Sequence, residues 1–175
     1  NSQRLPRKNI KLLAGKPLIH YTIEQAQQCP YIDTIRVSSD SDEILSVCSL
    51  SGCATSKRSA ELAQHDTPTI AVITHELKKI ELEEKKHYDV IILLQPTSPL
   101  RGTEIINECI KRMIDSNADS VQTITPADQH PALMFVENNG SIEFNDETAF
   151  RNRTKRKNYF IINGAVYAAT RETIM

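Results

Sequence analysis

Residues 88–101 read YDVIILLQPTSPLR, and no other part of the chain indicates its structure as plainly. Five consecutive apolar residues, Val90 to Leu94, come shortly before Pro96. An uninterrupted apolar run of this length is typical of a strand that is buried on both faces of a parallel sheet. We therefore predict a strand over Tyr88–Gln95, followed by a proline-rich loop.

Helical and strand patterns alternate on both sides of this strand. Apolar residues recur at helical spacing in several segments, and short β-type runs separate them. The predicted helices cover residues 17–28, 68–84 and 103–115, with a further helix that is capped within residues 40–43 and runs to about Leu50; the other predicted strands cover 34–39, 120–125 and 159–169. This alternation predicts an α/β domain.

The pattern changes after Pro126. Asn138-Asn139-Gly140 separates two short apolar runs, which predicts a β-hairpin. The basic segment 151–157 has few apolar residues and is predicted to be an exposed loop. The expected organisation is an α/β core over 1–126, a small antiparallel insertion over 127–158, and a return strand of the core within 159–175.

The composition restricts the function classes. The chain has 175 residues, 25% of them charged, and a formal net charge of -1 at pH 7. This balance gives no reason to expect nucleic-acid binding, and the longest apolar run is far shorter than the roughly 20 residues of a membrane span. The polar N-terminus is unlike a signal peptide. We expect a soluble, cytoplasmic protein without nucleic-acid or membrane partners.

The cysteines and histidines are scattered. Cys29, Cys48, Cys53 and Cys109 form no Cys-x-x-Cys pair, and we expect them to be buried free thiols. The five histidines include no His-Glu-x-x-His motif, so a histidine metal site is not expected. Any metal would have to be bound by oxygen ligands.

Three loops carry candidate functional residues, because ligands of an open α/β sheet bind outside the carboxyl ends of its strands. Ser38-Ser39-Asp40 follows one predicted strand, and residues 95–101 follow another. The basic loop 1–9 contains three cationic side chains and precedes the first predicted helix. Backbone amides and cations of such a loop can converge on a phosphate group.

Each loop also has an alternative interpretation. The prolines around Thr97 and Ser98 either present Gln95 and two hydroxyls at a strand end, or form a rigid turn whose hydroxyls cap the next helix. The basic loop is either a phosphate site or a solvated charged tail. Asp40 is either a helix cap or a nucleotide contact.

The motifs together resemble one enzyme family. They follow the family's order along nearly the whole chain, and they are Leu5-Pro6-x-Lys8-Asn9, Gly15-Lys16-Pro17-Leu18, Ser38-Ser39-Asp40, Arg58 to Ala63, Gln95 to Arg101 and Asn163 to Tyr167. The sequence resembles the cytidylyltransferases that activate acidic nonulosonic sugars, the CMP-sialic acid synthetases and their legionaminic-acid relatives. The resemblance implies a three-layer, Rossmann-like nucleotide-diphospho-sugar transferase fold, mainly a parallel sheet, with a small antiparallel dimerisation insertion.

The resemblance also implies a reaction. The anomeric hydroxyl of a 2-keto sugar acid would attack the α-phosphorus of CTP, with Mg²⁺ present, to give a CMP-sugar and pyrophosphate for surface polysaccharide or glycoconjugate synthesis. It further implies a homodimer in which the insertion reaches the neighbouring subunit. The family's first strand would lie upstream of Asn1, and its metal-binding aspartates beyond Met175, so we expect this sequence to be a piece of a longer chain.

The family's functional positions can be carried over residue by residue. The catalytic candidates are Lys8, Arg4 and Gln95. The resemblance assigns nucleotide binding to Ser2, Lys8, Asn9, Ser39, Asp40, Arg58 and Thr69. It assigns binding of the acidic sugar to Gln95, Thr97, Ser98, Arg153, Asn163 and Tyr167, with Arg156 as the alternative to Arg153.

Two departures from the family keep other functions open. Gln3 stands where the family usually has a lysine, although Arg4 supplies a cation beside it, and residues 2–8 are similar to the octulosonate (KDO) synthetases. Leu133-Met134 lies where some sialic-acid enzymes have a lysine, which leaves the sugar open. The alternatives are a CMP-octulosonate synthetase and a non-catalytic nucleotide-binding module of the same fold. A glycosyltransferase of similar architecture would need a metal-binding Asp-x-Asp after a mid-chain strand.

Overall fold

The computed structural model describes residues 5–175. Its α-helices are α1 (Leu18–Gln27), α2 (Asp42–Ser49), α3 (Thr69–Glu84), α4 (Thr103–Ser116), α5 (Glu147–Arg151) and α6 (Arg171–Ile174). Its strands are β1 (Leu12–Leu13), β2 (Lys16–Pro17), β3 (Arg36–Ser39), β4 (Ala54–Lys57), β5 (Val90–Leu93), β6 (Ser120–Pro126), β7 (Phe135–Asn138), β8 (Ser141–Phe144) and β9 (Phe160–Thr170). Short 3₁₀-helices cover Lys8–Ile10, Glu61–Ala63, Pro131–Leu133 and Arg153–Lys155.

The chain divides into two compact units. Unit 1 consists of Asn1–Gln122 and Gly164–Met175, and unit 2 consists of Thr123–Asn163. The insertion predicted over 127–158 falls inside unit 2. Within residues 5–175 no helix combines the length and the apolar character that crossing a membrane would require.

Strand pairing in unit 1 is mixed. β1 and β2 form an antiparallel pair, β3 and β4 are parallel, with Arg36 opposite Ala54, and a three-stranded sheet has the strand order β5-β9-β6. β5 runs antiparallel to β9, with Leu93 opposite Tyr167. The prediction of a strand buried on both faces of a parallel sheet was therefore wrong about the partner and the burial, because β5 is only half-buried. An apolar run suits a central strand of either pairing direction, so the sequence alone could not separate them.

The predicted helices are confirmed to within one or two residues, because their signals are local. The Ser41 hydroxyl accepts a hydrogen bond of 3.4 Å from the Ile44 amide and caps α2. Acidic Asp42 and Glu43 follow in the first turn, where they interact favourably with the helix dipole. The two-residue strands β1 and β2 and the polar strand β4 were not predicted, because so few residues carry no periodic pattern.

Unit 1 buries two apolar clusters. The first joins Ile106, Cys109 and Ile110 of α4 to Val166 of β9 and to Cys29. The second joins Ile19 and Ile23 of α1 to Cys48 of α2. These clusters pack the helices against the strands and fix the strand ends, where the candidate loops begin.

The expected free thiols are confirmed for the three buried cysteines. Cys29, Cys48 and Cys109 are buried, whereas Cys53 is only half-buried, and all of them are free. Burial raises the pKa of the Cys48 thiol to about 11, with a smaller contribution from nearby Cys53. These cysteines therefore act as small apolar side chains.

A cavity of about 710 Å³ lies in unit 1. The strands β3 and β5 both line it, and in the described part of the chain no pairing joins them. Apolar side chains of α1 and α4, including Ile23 and Ile110, also line it. Polar side chains line the cavity at both ends of these strands, with Asp89 before β5 and Gln95 after it.

Unit 2 is built around an antiparallel hairpin, as predicted. Phe135 of β7 lies opposite Phe144 of β8. The turn residues Asn139 and Gly140 have φ values of 50° and 81°, as a two-residue type I′ turn requires. Residues 151–157 are mostly exposed but are not all loop, since they include the end of α5 and the 3₁₀-helix Arg153–Lys155.

Candidate active site

The carboxyl ends of β3 and β5 bring several predicted residues to one cavity. Asn9, Ser39, Arg58 and Gln95 all line the 710 Å³ cavity. This is the edge at which open α/β sheets bind ligands. We regard the carboxyl ends of the two strands, where these predicted residues lie, as the candidate site.

Arg58 is held against the end of β3. Its Nη2 donates to the Ser38 carbonyl oxygen at 2.9 Å, and its Nε donates to the Ser38 hydroxyl at 3.3 Å. Its backbone amide also donates to the Ser39 carbonyl oxygen at 2.9 Å. These bonds fix a cationic side chain at the cavity wall, where it can attract a phosphate group.

The structure gives Ser39 a local contact and corrects one of the two interpretations of Asp40. Ser39 is buried, and its hydroxyl accepts from the Ser41 amide at 3.2 Å, so this side chain is used within the turn. The cap of α2 is Ser41, so the interpretation of Asp40 as the helix cap was wrong. The nucleotide contact predicted for Asp40, which is half-buried, stays a prediction.

The spacing Asp40-Ser41-Asp42 is an Asp-x-Asp after a strand, but the structure gives these residues other contacts. Asp42 accepts a hydrogen bond of 2.6 Å from Lys57, and Ser41 caps the helix. Within residues 5–175 no cluster of three or more His, Cys, Asp or Glu side chains could hold a metal ion. The described contacts of Ser41 and Asp42 are local ones, so the pattern gives the glycosyltransferase alternative no support.

The basic loop is described from Leu5 onward. Lys8 begins a 3₁₀-helix after Arg7, whose φ of 56° is left-handed. Arg7 forms an ion pair of 3.1 Å with Glu43 at the surface. Lys8 and Asn9 are half-buried residues of this 3₁₀-helix. Ser2 and Arg4, predicted to bind nucleotide and to act in catalysis, lie outside the described residues.

Gln95 and Tyr167 meet at a glycine. Gly164 has a φ of +74°, and a Cβ added there would lie 3.2 Å from Gln95 Oε1 and 3.7 Å from the Tyr167 hydroxyl. Gln95 and Tyr167, with Thr69 at the start of α3, also line a second cavity of about 380 Å³. The structure thus brings together two residues predicted for the sugar, with a residue predicted for cytosine on the same cavity.

The loop after β5 is a hydrogen-bonded turn, and the hydroxyls of Thr97 and Ser98 do not cap α4, whose N-cap is Gly102. The Ser98 amide donates to the Gln95 carbonyl oxygen at 3.2 Å, and the Arg101 amide donates to the Ser98 carbonyl oxygen at 3.2 Å. Thr97 is exposed and Ser98 is half-buried, and neither lines the two cavities described above. Their predicted role in sugar binding stays a prediction.

Arg101 holds this loop in place from the inside. It is 3% exposed, and it donates to the Ala165 carbonyl oxygen, to the Thr22 hydroxyl at 3.0 Å and to Gln25 Oε1 at 3.2 Å. All three acceptors are neutral oxygen atoms. Burial lowers the pKa of its guanidinium to about 10, so it stays charged at neutral pH. Sequence reasoning had placed Arg101 only at the opening of a helix and did not detect this structural role.

The remaining predicted sugar ligands belong to unit 2. Arg153 begins a short 3₁₀-helix whose first amide, from Thr154, is capped by Asn152 at 3.0 Å. Arg156 Nε donates to the Ala149 carbonyl oxygen at 3.1 Å. Asn163 Oδ1 accepts from the Thr123 hydroxyl at 2.6 Å. Their predicted contact with the sugar stays a prediction.

Comparison with known proteins identifies the family. The cytidylyltransferase family model matches residues 1–158. The chain belongs to the cytidylyltransferase family. It is 32% identical over 180 residues to the CMP-N,N'-diacetyllegionaminic acid synthase of Legionella pneumophila, a match that covers 99% of this chain and 75% of that protein.

Other cytidylyltransferases support the same membership. The chain is 28% identical over 179 residues to the N-acylneuraminate cytidylyltransferase of Streptococcus agalactiae, covering 99% of this chain and 42% of that protein. The solved structure of a CMP:2-keto-3-deoxy-manno-octonic acid synthetase complexed with CTP has a TM-score of 0.72 at 18% identity, covering 99% of this chain and 71% of that one. The predicted Rossmann-like nucleotidyltransferase fold and the predicted family are thereby confirmed.

Proposed function

We propose that the protein transfers CMP from CTP to the anomeric hydroxyl of a nonulosonic, sialic-type acid and releases pyrophosphate. The observation that carries this proposal is the meeting of Asn9, Arg58 and Gln95 at one polar edge in a chain of the cytidylyltransferase family. The relatives at 28% and 32% identity are named for nonulosonic acids. The octulosonate alternative is favoured by the similarity of residues 2–8 and by a likeness of fold.

In this reaction the protein mainly has to position two anions, the triphosphate of CTP and the acidic sugar. The sugar oxygen forms a bond to the α-phosphorus, the bond from that phosphorus to the pyrophosphate oxygen breaks, and the hydroxyl proton is lost. Transfer of this kind is stabilised chiefly by alignment and by charge. In the proposal, Arg58 and Lys8 bind the triphosphate, while Gln95 and Tyr167 orient the acidic sugar.

Mg²⁺ is part of the proposal only as a cofactor that enters with the nucleotide. Magnesium is usually held by one or two carboxylates together with substrate phosphates. The described residues do not cluster suitable ligands.

We further propose that the protein is a cytoplasmic homodimer, joined through unit 2. Unit 2 exposes large apolar side chains along its hairpin and along the start of β9, among them Phe135, Ile142 and Phe160. A contiguous apolar surface of this kind is typical of an association site. A second copy of the same chain is the partner that the family resemblance implies, and CMP-sugar made in the cytoplasm would serve surface polysaccharide or glycoconjugate synthesis.

We also propose that one more parallel strand fits the space between β3 and β5. Both strands line the same cavity. In the described part of the chain, β3 pairs only with β4 and β5 pairs only with β9. A strand edge that pairs with no other strand leaves its backbone amide and carbonyl groups without hydrogen-bond partners in the sheet. Amide hydrogen exchange checks this proposal: amides of β3 and β5 should exchange more slowly in a longer form of the protein that carries such a strand than in residues 1–175.

The test of the function is pyrophosphate release with CTP, Mg²⁺ and four sugars: N-acetylneuraminate, legionaminate, pseudaminate and the octulosonate. Release with one nonulosonic acid supports the proposal and identifies the sugar. Release with the octulosonate alone favours the KDO alternative. Binding of CTP without release of pyrophosphate with any of the four sugars favours the non-catalytic module.

Variants assign the two substrates. Lys8→Ala and Arg58→Ala should raise KM for CTP more than KM for the sugar, and Gln95→Ala should do the reverse. Lys111→Ala, which removes an exposed lysine of α4, is the control. Equal losses for both substrates would contradict the assignment of these residues.

A further inference from the structure

A glutamate of α3 reaches the residue that holds Arg58. The Ser38 hydroxyl donates to Glu76 Oε1 at 2.7 Å. The same hydroxyl oxygen accepts from Arg58 Nε at 3.3 Å, and the Ser38 carbonyl oxygen accepts from Arg58 Nη2 at 2.9 Å. Glu76, Ser38 and Arg58 therefore form a continuous hydrogen-bonded series that ends at the wall of the candidate site.

The direction of these bonds follows from the donors that are present. An ionised carboxylate can only accept, and a serine hydroxyl has a single hydrogen. Because that hydrogen is directed to Glu76, the oxygen lone pairs of Ser38 remain available to the Arg58 Nε–H group. Without Glu76 the hydroxyl could rotate, and its hydrogen could then point toward the guanidinium.

The environment of the Glu76 carboxylate is unfavourable for the stability of the fold. Its side chain is 14% exposed, and its nearest cation through the other oxygen is Arg36 Nη1, 4.0 Å from Oε2. Oε2 is buried and has no hydrogen bond within the described residues. A half-satisfied buried carboxylate is unfavourable for stability, which points to a role in the site.

We propose that Glu76 is a positioning residue that, through Ser38, holds the Arg58 guanidinium ready for the triphosphate of CTP. This inference rests on the proposed function, since that function makes Arg58 a nucleotide ligand. An arginine side chain loses considerable rotamer entropy when it is immobilised. Holding it in place before the nucleotide arrives removes that cost from binding.

The chain offers a matched control on the same helix. Glu83 is also on α3 and also forms an ion pair with Arg36, whose Nη2 donates a hydrogen bond to it, but Glu83 has no described contact with Ser38. Glu76→Ala and Glu83→Ala therefore both remove a partner of Arg36. The first variant alone removes the partner of the Ser38 hydroxyl.

The experiment measures the dissociation constant of CTP by calorimetry, together with KM and kcat where turnover occurs. Glu76→Ala should raise the dissociation constant of CTP about tenfold, which corresponds to about 1.4 kcal/mol of binding free energy. It should change kcat little. Glu76→Gln, which keeps an acceptor for Ser38, should recover part of the affinity. Glu83→Ala should bind CTP as the unchanged protein does.

Ser38→Ala gives a second route that does not depend on the folding of the Glu76 variants. Ser38→Ala should weaken the binding of CTP to a similar extent. The double variant Glu76→Ala with Ser38→Ala should bind CTP no more weakly than either single variant. The Arg58 Nε–H resonance in NMR spectra should broaden or shift in Glu76→Ala and not in Glu83→Ala. A structural role for Glu76 alone would leave this signal in place.

The outcomes separate this inference from the proposed function. Unchanged CTP affinity in folded Glu76→Ala, or equal weakening by Glu83→Ala, overturns the inference while pyrophosphate release by the unchanged protein still supports the function. Weaker CTP binding by Glu76→Ala in a protein that releases no pyrophosphate supports the inference and contradicts the function. A protein that does not bind CTP at all overturns both.

Discussion

Unit 1 buries several large apolar side chains, whereas none of those described in unit 2 is buried. In unit 1, Ile106 and Val166 are 0% exposed, whereas in unit 2 Ile142 is 68% and Phe160 is 54% exposed. The buried apolar side chains described in unit 2 are the small Ala132 and Ala149. Unit 1 therefore has its own core, while unit 2 displays the kind of surface that a partner covers.

The aromatic residues of unit 2 illustrate this difference. Phe144 packs against Phe135 at a ring distance of 4.9 Å and against Phe150 at 4.5 Å. All three rings nevertheless remain more than a third exposed. Ring packing organises the surface of unit 2 without enclosing it, so the free energy available from burying these rings is left for association.

The largest effect is expected from the buried side of unit 1. Arg101→Met removes the buried donor of three hydrogen bonds, to Ala165, Thr22 and Gln25. We expect the free energy of unfolding to fall by about 3 kcal/mol or more, measured by urea denaturation. Arg112→Met, at an exposed arginine of α4 that pairs with Glu108, should change it by about 0.5 kcal/mol or less. Equal effects would mean that Arg101 is not a structural centre of unit 1.

The next effect tests the exposed side of unit 2. Introducing charge by Phe135→Glu together with Ile142→Glu should weaken the proposed dimer by about a hundredfold, because charges at the centre of an apolar interface are poorly tolerated. Sedimentation velocity at micromolar concentration measures the change. Leu50→Glu, at an isolated exposed leucine of unit 1, is the control and should leave the assembly as it is. A monomeric unchanged protein would refute the homodimer.

Glycines of the two units give a smaller and more specific contrast. Gly164 of unit 1 and Gly140 of unit 2 both have positive φ values, +74° and +81°, so alanine at either should cost about 1 kcal/mol. Only at Gly164 would the new Cβ meet a neighbour, Gln95 Oε1 at 3.2 Å. We expect Gly164→Ala, and not Gly140→Ala, to raise KM for the acidic sugar several-fold in steady-state assays. A rise in both variants would remove Gln95 as the cause.

The smallest effect concerns ion pairs and pH. Two hydrogen bonds from Arg171, of 2.8 and 3.0 Å, hold the pKa of the Glu81 carboxyl below its usual value. A carboxyl whose pKa is lowered by folding contributes stability above its unfolded pKa of about 4.3, and that stability is lost as the pH falls through the folded pKa. Glu81→Gln should therefore lower the melting temperature at pH 7 and approach the unchanged protein in acid.

The matching pair of unit 2 is the control for this titration. Glu147 and Arg151 form an exposed pair of 2.7 Å along α5. Glu147→Gln should change the melting temperature little at any pH, because exposed pairs contribute little to stability. A pH-independent difference for Glu81→Gln would show that the lowered pKa is not what stabilises the native state.

Local signals explain which parts of the fold could be predicted. The turn at Asn139-Gly140 specifies its hairpin with two residues, and the helices carry their own periodicity and caps. The antiparallel pairing of β5 with β9 could not be predicted, because it joins Leu93 to Tyr167 across much of the chain. The strand β4 was missed because Ala54 to Lys57 is short and polar.

The candidate site divides in the same way. The family resemblance assigned Gln95 and Tyr167 to the sugar, but their meeting at Gly164 depends on the register of distant strands. Glu76 had a usable signal that was overlooked: it is a charged residue next to Leu77 and four positions before Ile80, both buried residues of α3. The burial of Arg101 had no local signal at all.

The bonds of Arg101 also constrain the order in which the protein can fold during synthesis. Its partner Thr22 lies 79 residues earlier, and its partner Ala165 lies 64 residues later. When Arg101 leaves the ribosome, α1 is already available, but the last strand has not yet been made. The guanidinium therefore stays hydrated until β9 is translated, and unit 1 can close around it only after β9 has emerged.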